Sequence, residues 1–437
     1  MPPLATELVI RAPGLLYPAP FETNRSRDRA PVLSVPMSVS EAPPTDTVDI
    51  DAVRADTPAA AHGVFLDSAG SSLPPRPVVE TVIGHLRREE EVGGYRAARE
   101  RADDVAAVRT SVGRLVGAPP SSIALSDSAT RAWCDFFYAV PLSPGDRILI
   151  SSVEYATNAI AALQRARQTG AVVEVVPSDG SGSIDLAAFE AMMDDRVALV
   201  SLVHAPTNSG LLNPVREVAD IAHRFGALVV LDACQSVGQS SLDLSRLGVD
   251  ALSATGRKWL RGPRGTGFLA VAESVLDTLE PRSLDLHSAS WTGPDTYTVA
   301  SDATRFETWE HDVAARLGLG AAVDYLLDLG VDAVEAAVRL RADRLRGALA
   351  DTAGISVRDP GERRTGIVTF TVDGVDTTAV KDALAARDIT VTVSPASSTL
   401  LDMTARGLDS VVRASPHYFL TPDQIDEAAD ACRALVR

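Results

Sequence analysis

The sequence predicts an α/β protein with a mostly parallel sheet, and three observations carry that reading. Short runs rich in β-branched residues, RILISS, AVVEVVP, VALVSLVH and ALVVLDA, recur through the middle of the chain. Between them lie helical patterns such as NAIAALQRARQTG and PVREVADIAHRFG; in the second, Val215, Val218, Ile221, Ala222 and Phe225 fall on one helical face. Strands alternating with helices of this length imply parallel β-α-β units covered on both faces. Third, 437 residues that are 46% hydrophobic and 23% charged leave room for a full core and two domains.

Taken in order, residues 1–62 are rich in Pro, Ser, Thr, Ala and Asp with no sustained period, which predicts a flexible N-terminal extension; Met37 within it is an alternative start. Residues 63–84 are expected to be a segment that packs with the smaller domain. The large α/β domain is expected over 85–320. Residues 321–437 then supply a linking helix, within LGLGAAVDYLLDLGVDAVEAAVRLRADRLRGALADT, and a small α+β domain containing GIVTFTVDG, ITVTVSP and VVRASPHYF. No internal repeat is apparent.

A net charge of -17 argues against nucleic acid and against an anionic membrane surface, so small-molecule chemistry is the better expectation. Cys134, Cys234 and Cys432 are odd in number and lack ligand-like spacing, which predicts neither a disulfide framework nor a metal site. No apolar run reaches membrane-spanning length and no export signal is visible, so the expected compartment is the cytoplasm.

In a parallel α/β sheet ligands gather at the carboxyl ends of the strands. After SIAL comes SDSATRAW, a helix start whose free N–H groups suit a phosphate or are simply N-capped. After ALVVL comes Asp232, a carboxylate at the end of a buried strand, expected to face a cation or a protonated nitrogen. After DALSA come Thr255, Gly256, Arg257 and Lys258. Only Lys258 and Lys381 are lysine in this arginine-rich chain; Lys381 sits in an amphipathic helical pattern, whereas Lys258 lies among small residues. Lysine can lose its proton and form a Schiff base, which arginine cannot. An amine, a carboxylate and a phosphate-binding helix start together fit pyridoxal phosphate: Lys258 for the aldehyde, Asp232 for the ring nitrogen.

The pattern D-x-x-Q, a strand, then S/T-x-x-K resembles the class V aminotransferase and cysteine desulfurase family of fold-type I pyridoxal-phosphate enzymes, from FLDSAGSS to RASPHYFLT. The resemblance implies the fold-type I transferase fold, with Lys258, Asp232 and Tyr155 catalytic. It implies Gln235 near the ring hydroxyl, Thr255 and Arg257 with Ala129 and Thr130 around the phosphate, and Tyr155 stacked over the ring. Asn158, Thr207 and Asn208 match polar positions near the cofactor oxygen and substrate, Cys234 a small residue under the ring, and Arg413 the arginine that clamps the substrate carboxylate. No metal is implied. A homodimer with its active site at the interface is, although Val313 stands where desulfurases supply a hydroxyl to the neighbour's phosphate. Trp291, His287, Trp309, Glu310 and His311 could shape the entrance or serve as interface packing.

Desulfurases carry a mobile thiol where this chain has ITVTVSPASSTLLDM, which contains serines and no cysteine. EEEVGGY, RKWLRGPRGTGFLAV and RASPHY instead resemble hercynylcysteine sulfoxide lyase and related antibiotic-pathway enzymes, which act on cysteine S-conjugates. The expected activity is therefore a C–S β-lyase in specialised metabolism. A lincosamide-pathway relative offers the alternative of decarboxylation with oxidative deamination of an S-conjugate; epimerisation and transamination begin at the same step. A pyridoxal-phosphate-binding regulator would need a basic DNA-binding module, and the N-terminal tail has no helix-turn-helix pattern.

Overall fold

The computed structural model describes residues 46–436. Its centre is a seven-stranded sheet in the order 123–126, 267–271, 251–255, 228–232, 197–203, 147–151, 172–176. All strands run in one direction except Gly267–Val271, which is antiparallel to both neighbours. The β-branched runs read from the sequence are four of these strands, and their side chains split between two cores by the two-residue period of a strand. Leu149, Val200, Leu202, Val229 and Leu231 enter one core; Ile148, Ile150, Leu199 and Val230 enter the other, with Trp133, Phe136 and Phe137 of the helix Ala129–Ala139. Burial of each such aromatic side chain is worth about 2–3 kcal/mol. The edge strand Val172–Val176 is half-exposed and carries Glu174, paired with Arg147, a charged edge that discourages strand addition.

The linking helix expected from the sequence is two helices, Val313–Leu329 and Val331–Ala350. Gly330 separates them at φ 83°, a left-handed conformation that a side chain disfavours. The first helix packs on Arg76–Val92 and Ala102–Val116; the second packs on Pro422–Arg433. Beyond them a four-stranded antiparallel sheet has the order 355–357, 368–372, 410–414, 392–395. Val64–Phe65 pairs in parallel with Ile389–Thr390, so the start of the described chain is stitched to its last third.

One boundary needs correction. Residues 46–62, read as the end of a flexible extension, are folded: Ile50–Ala55 is helical, Asp49 caps it through the Ala52 N–H, and Val53, Thr57 and Ala60 are buried. The local composition hides this because the anchors are distant. Arg54 donates to the Phe419 carbonyl and to Gln424 Oε1 at 3.0 and 2.8 Å, and Arg341 pairs with Asp46 at 2.8 Å. Residues 1–45, with Met37, lie outside the described residues. Among the described residues no helix is long and apolar enough to cross a membrane.

Candidate active site

At the carboxyl ends of the parallel strands lies an open cavity. Lys258, Asp232, Tyr155, Asn158, Thr207, Cys234, Gln235, Thr255, Arg257, Ala129 and Thr130 all line it. Residues spread over 130 positions of sequence thus meet because each follows a strand of one sheet.

Asp232 ends the strand Leu228–Asp232 and is buried. It accepts from Asn158 Nδ2 at 3.0 Å and from the Cys234 N–H at 2.9 Å, and among the described residues it makes no ion pair. Asn158 donates to Glu154 Oε1 as well, at 2.9 Å. Both hydrogens of its amide are thereby committed to carboxylates, so Asn158, expected near a cofactor oxygen, braces Asp232. Glu154 also accepts from the Tyr155 N–H at 3.0 Å and from Ser201 Oγ at 2.9 Å. Burial lifts the Glu154 carboxyl to about 7, with the Asp232 charge adding to the shift and the hydrogen bonds from Asn158 and Ser201 opposing it.

Lys258 follows the strand Ala251–Thr255 in a tight turn. Burial lowers its ammonium to about 8; Arg257 and Arg413 push the same way, and Cys234 and Asp232 oppose. The Cys234 thiol, buried beside Asp232, is pushed well above its ordinary value.

The helix Ala129–Ala139 starts at the cavity wall, capped by Ser128 through the Arg131 N–H. Gly267 on the adjacent strand allows this close approach: a Cβ there would lie 2.7 Å from the Ala129 nitrogen. Thr255 Oγ1 donates to the Thr266 carbonyl at 3.3 Å, and Arg257 Nη1 donates to the Gly70 carbonyl. Trp133, not singled out by the sequence reading, also lines the cavity, with a buried Nε1 that has no hydrogen-bond partner.

Arg413, on the strand Ser410–Ala414, is buried beside the cavity. Its Nη1 donates to Thr207 Oγ1 at 2.7 Å and its Nη2 meets Asp67 Oδ1 at 3.2 Å, while Nε is buried without a partner. Thr207 Oγ1 also accepts from Gln235 Nε2 at 3.2 Å, and Gln235 Oε1 accepts from Trp259 Nε1 at 2.9 Å. Gln235 Nε2 reaches the Ala69 carbonyl too, at 3.1 Å, so this amide holds the Thr207 wall rather than turning a hydrogen toward the cavity centre. Asn208 is not among the cavity-lining residues; its amide donates to the Pro395 carbonyl at 3.1 Å and accepts from Ser394 Oγ on the strand Thr392–Pro395.

Toward the entrance, Val313 opens a helix capped by Asp312. Glu310 and His311 line a second, smaller cavity that shares Asp127 and Gly265 with the first. The Trp309 N–H donates to Asp285 Oδ2 at 2.7 Å, and His287 lies 3.4 Å from the buried Glu307. Trp291 stands 77% exposed on the hairpin formed by Ala289–Gly293 and Thr296–Val299.

These residues fit pyridoxal phosphate. Gly267 lets its strand pack directly against the start of the helix Ala129–Ala139, whose first residues Ala129 and Thr130 line the cavity where a phosphate would meet free N–H groups. Asp232 is a buried carboxylate held only by neutral donors, which suits a protonated ring nitrogen, and Lys258 is a buried amine opening on the same space. Sequence reasoning missed Glu154 and Asp67 as well as Trp133. Glu154 adjoins Tyr155 in SVEYATN, and an acidic residue three positions beyond the end of an apolar strand was its available signal. Asp67 lies in a quoted segment, but its partner is 346 residues away.

The family model described as aminotransferase class-V matches residues 64–427. A probable cysteine desulfurase of Halalkalibacterium halodurans is 29% identical over 373 residues, 84% of this chain and 91% of the relative. Among solved structures, an apo cysteine desulfurase from Thermococcus onnurineus superposes with a TM-score of 0.82 at 24% identity, covering 90% of this chain and 99% of that one. The cystine C-S lyase C-DES, solved with its reaction product cysteine persulfide, superposes with a TM-score of 0.79 at 22% identity, covering 87% and 100%. The last two likenesses concern the fold.

Proposed function

The chain belongs to the aminotransferase class-V family and is a pyridoxal-phosphate enzyme, and from that premise we propose that it is a C–S β-lyase acting on a cysteine S-conjugate. The observation that carries this reading is the state of its thiols. A desulfurase needs a reactive cysteine to take sulfur, and the segment from Ile389 to Met403 has none. Burial raises Cys134, lifts Cys432 to about 12 and, with Asp232, holds Cys234 well above its ordinary value. None of the three is poised as a thiolate. The fold itself serves both desulfurases and a C-S lyase and so does not choose.

Pyridoxal phosphate, when bound, supplies an electron sink for charge developing at Cα. Asp232, braced by Asn158, would keep the ring nitrogen protonated, and Tyr155 would cover the ring. Ala129, Thr130, Thr255 and Arg257 would hold the phosphate at the helix start. Arg413 would clamp the substrate carboxylate. Lys258 would take the Cα proton on Nζ; roughly a tenth of a group with a pKa of about 8 is neutral at pH 7. The Cβ–S bond then breaks with its electrons on sulfur, and one water is consumed, giving a thiol, pyruvate and ammonium.

Product analysis with a panel of S-alkyl cysteines tests this: thiol and pyruvate are expected in equal amounts. Carbon dioxide with an aldehyde, formed with uptake of dioxygen, would instead establish decarboxylating oxidative deamination, and alanine with a persulfide formed from free L-cysteine would establish desulfuration. The same reading places the enzyme in specialised sulfur metabolism in the cytoplasm, as a homodimer with its active site at the interface. Leu286 and Trp291, 79% and 77% exposed, support such a contact. Sedimentation at micromolar concentration checks it.

A further inference from the structure

Arg413 carries a buried positive charge, and such a charge is tolerated only with a counter-ion and filled hydrogen bonds. Its counter-ion is Asp67, through a single contact of 3.2 Å between Nη2 and Oδ1. Other pairs in the protein show what a fixed partnership looks like: Arg109 grips Glu307 with two nitrogens at 3.0 and 2.8 Å, and Arg344 grips Asp426 with two at 2.6 Å. Arg413 instead leaves Nε buried and unpartnered. Asp67 precedes the short helix Ser68–Ser71 without capping it, and its side chain is 22% exposed, so its carboxylate has solvent to move into.

We propose that Asp67 is an internal stand-in for the substrate's carboxylate: it neutralises Arg413 in the substrate-free enzyme and is exchanged when an amino acid binds. The inference rests on the reading of Arg413 as the carboxylate clamp. A substrate carboxylate added beside a stationary Asp67 would place two anions on one guanidinium, a like-charge cost that release of Asp67 removes. The incoming group can engage the guanidinium with two oxygens, which the one-pronged internal contact does not. Asp67 thus sets the threshold for substrate entry, and the site rewards ligands that bring their own carboxylate.

The test is a pair of ligands titrated into the holoenzyme while the cofactor absorbance is followed: L-alanine, which has no β-leaving group, and L-alaninamide, which has no carboxylate. Asp67→Asn keeps size and loses charge. It should bind L-alanine about tenfold tighter, equivalent to about 1.4 kcal/mol, with L-alaninamide unchanged. The substrate-free variant should also melt at a lower temperature, with saturating L-alanine restoring it. Asp67→Glu retains the charge and should stay near wild type in the ratio of the two affinities. If Asp67→Asn leaves that ratio unchanged while Arg413→Gln abolishes the preference for L-alanine, the stand-in is refuted and the clamp survives. If Arg413→Gln keeps the preference, the clamp reading fails, and Asp67 with it.

Discussion

The cavity wall at Asp232 and the layer behind the wall at Arg413, which reaches it through Thr207, each bury one charge, and they stabilise it differently. Asp232 is surrounded by neutral donors, the Asn158 amide and the Cys234 N–H, and the amide is itself tied to Glu154. Its missing counter-charge is one that a protonated ring nitrogen supplies. Arg413 has an anion of its own, loosely held, and a guanidinium nitrogen to spare. On the proposed roles, the difference separates a wall suited to a resident cofactor, short of one cation, from one suited to a visiting carboxylate, with a counter-ion free to be exchanged.

The largest effect is expected on the cofactor side. Lys258→Ala should lose the absorbance band of the bound cofactor and lower turnover by about 1000-fold or more, the scale of a lost general base. A retained band and near-normal rate would remove the amine from that wall and break the contrast. Next comes the brace. Glu154 has a folded-state pKa of about 7, raised from 4.5, so its contribution is fully present below the unfolded value and is lost as pH rises toward 7. Between pH 4.5 and 7 wild-type stability should therefore fall by about 3 kcal/mol through this group. Glu154→Gln, which mimics the protonated acid, should flatten that slope in denaturant titrations of the two proteins. An unchanged slope would show that the Asp232 wall is less tightly braced than its hydrogen bonds indicate. The smallest effect sharpens the comparison within the cofactor wall: Gly267→Ala places a Cβ 2.7 Å from the Ala129 nitrogen. Overpacking of this kind costs about 1–3 kcal/mol, and cofactor affinity should weaken about tenfold with Arg413-dependent ligand selectivity intact.

The cofactor wall was also the more legible in sequence. Lys258 stood out by rarity, Asp232 by its place after ALVVL, and the helix start at Ala129 by SDSAT; each is a local signal at a strand end. The sheet was legible for the same reason, since RILISS, VALVSLVH and ALVVLDA are apolar on both faces. Arg413 was reached through a resemblance, and its partner Asp67 through neither pattern nor motif. The Arg413–Asp67 contact joins two strands' ends that only the folded chain brings together. The segment 46–62 was misread for the same cause: Val53, Thr57 and Ala60 are too few to show a period, and their support comes from Arg341, Phe419 and Gln424. Gly330 left a trace, but Gly318, Gly320 and Gly347 sit within the same helical stretch without interrupting it, so a glycine in a helical pattern does not by itself announce a break.

The pairing of Val64–Phe65 with Ile389–Thr390 has a consequence for how the enzyme comes into being. A nascent chain emerging from the ribosome can complete the seven-stranded sheet, Lys258 included, while the strand Val64–Phe65, the first among the described residues, still has nothing to join. Asp67 must remain unengaged until the final stretch, with Arg413, has been synthesised. Catalytic competence is thus a late event in biogenesis, and any truncation that removes the last strand should yield a protein able to build one half of its active centre and unable to close the other.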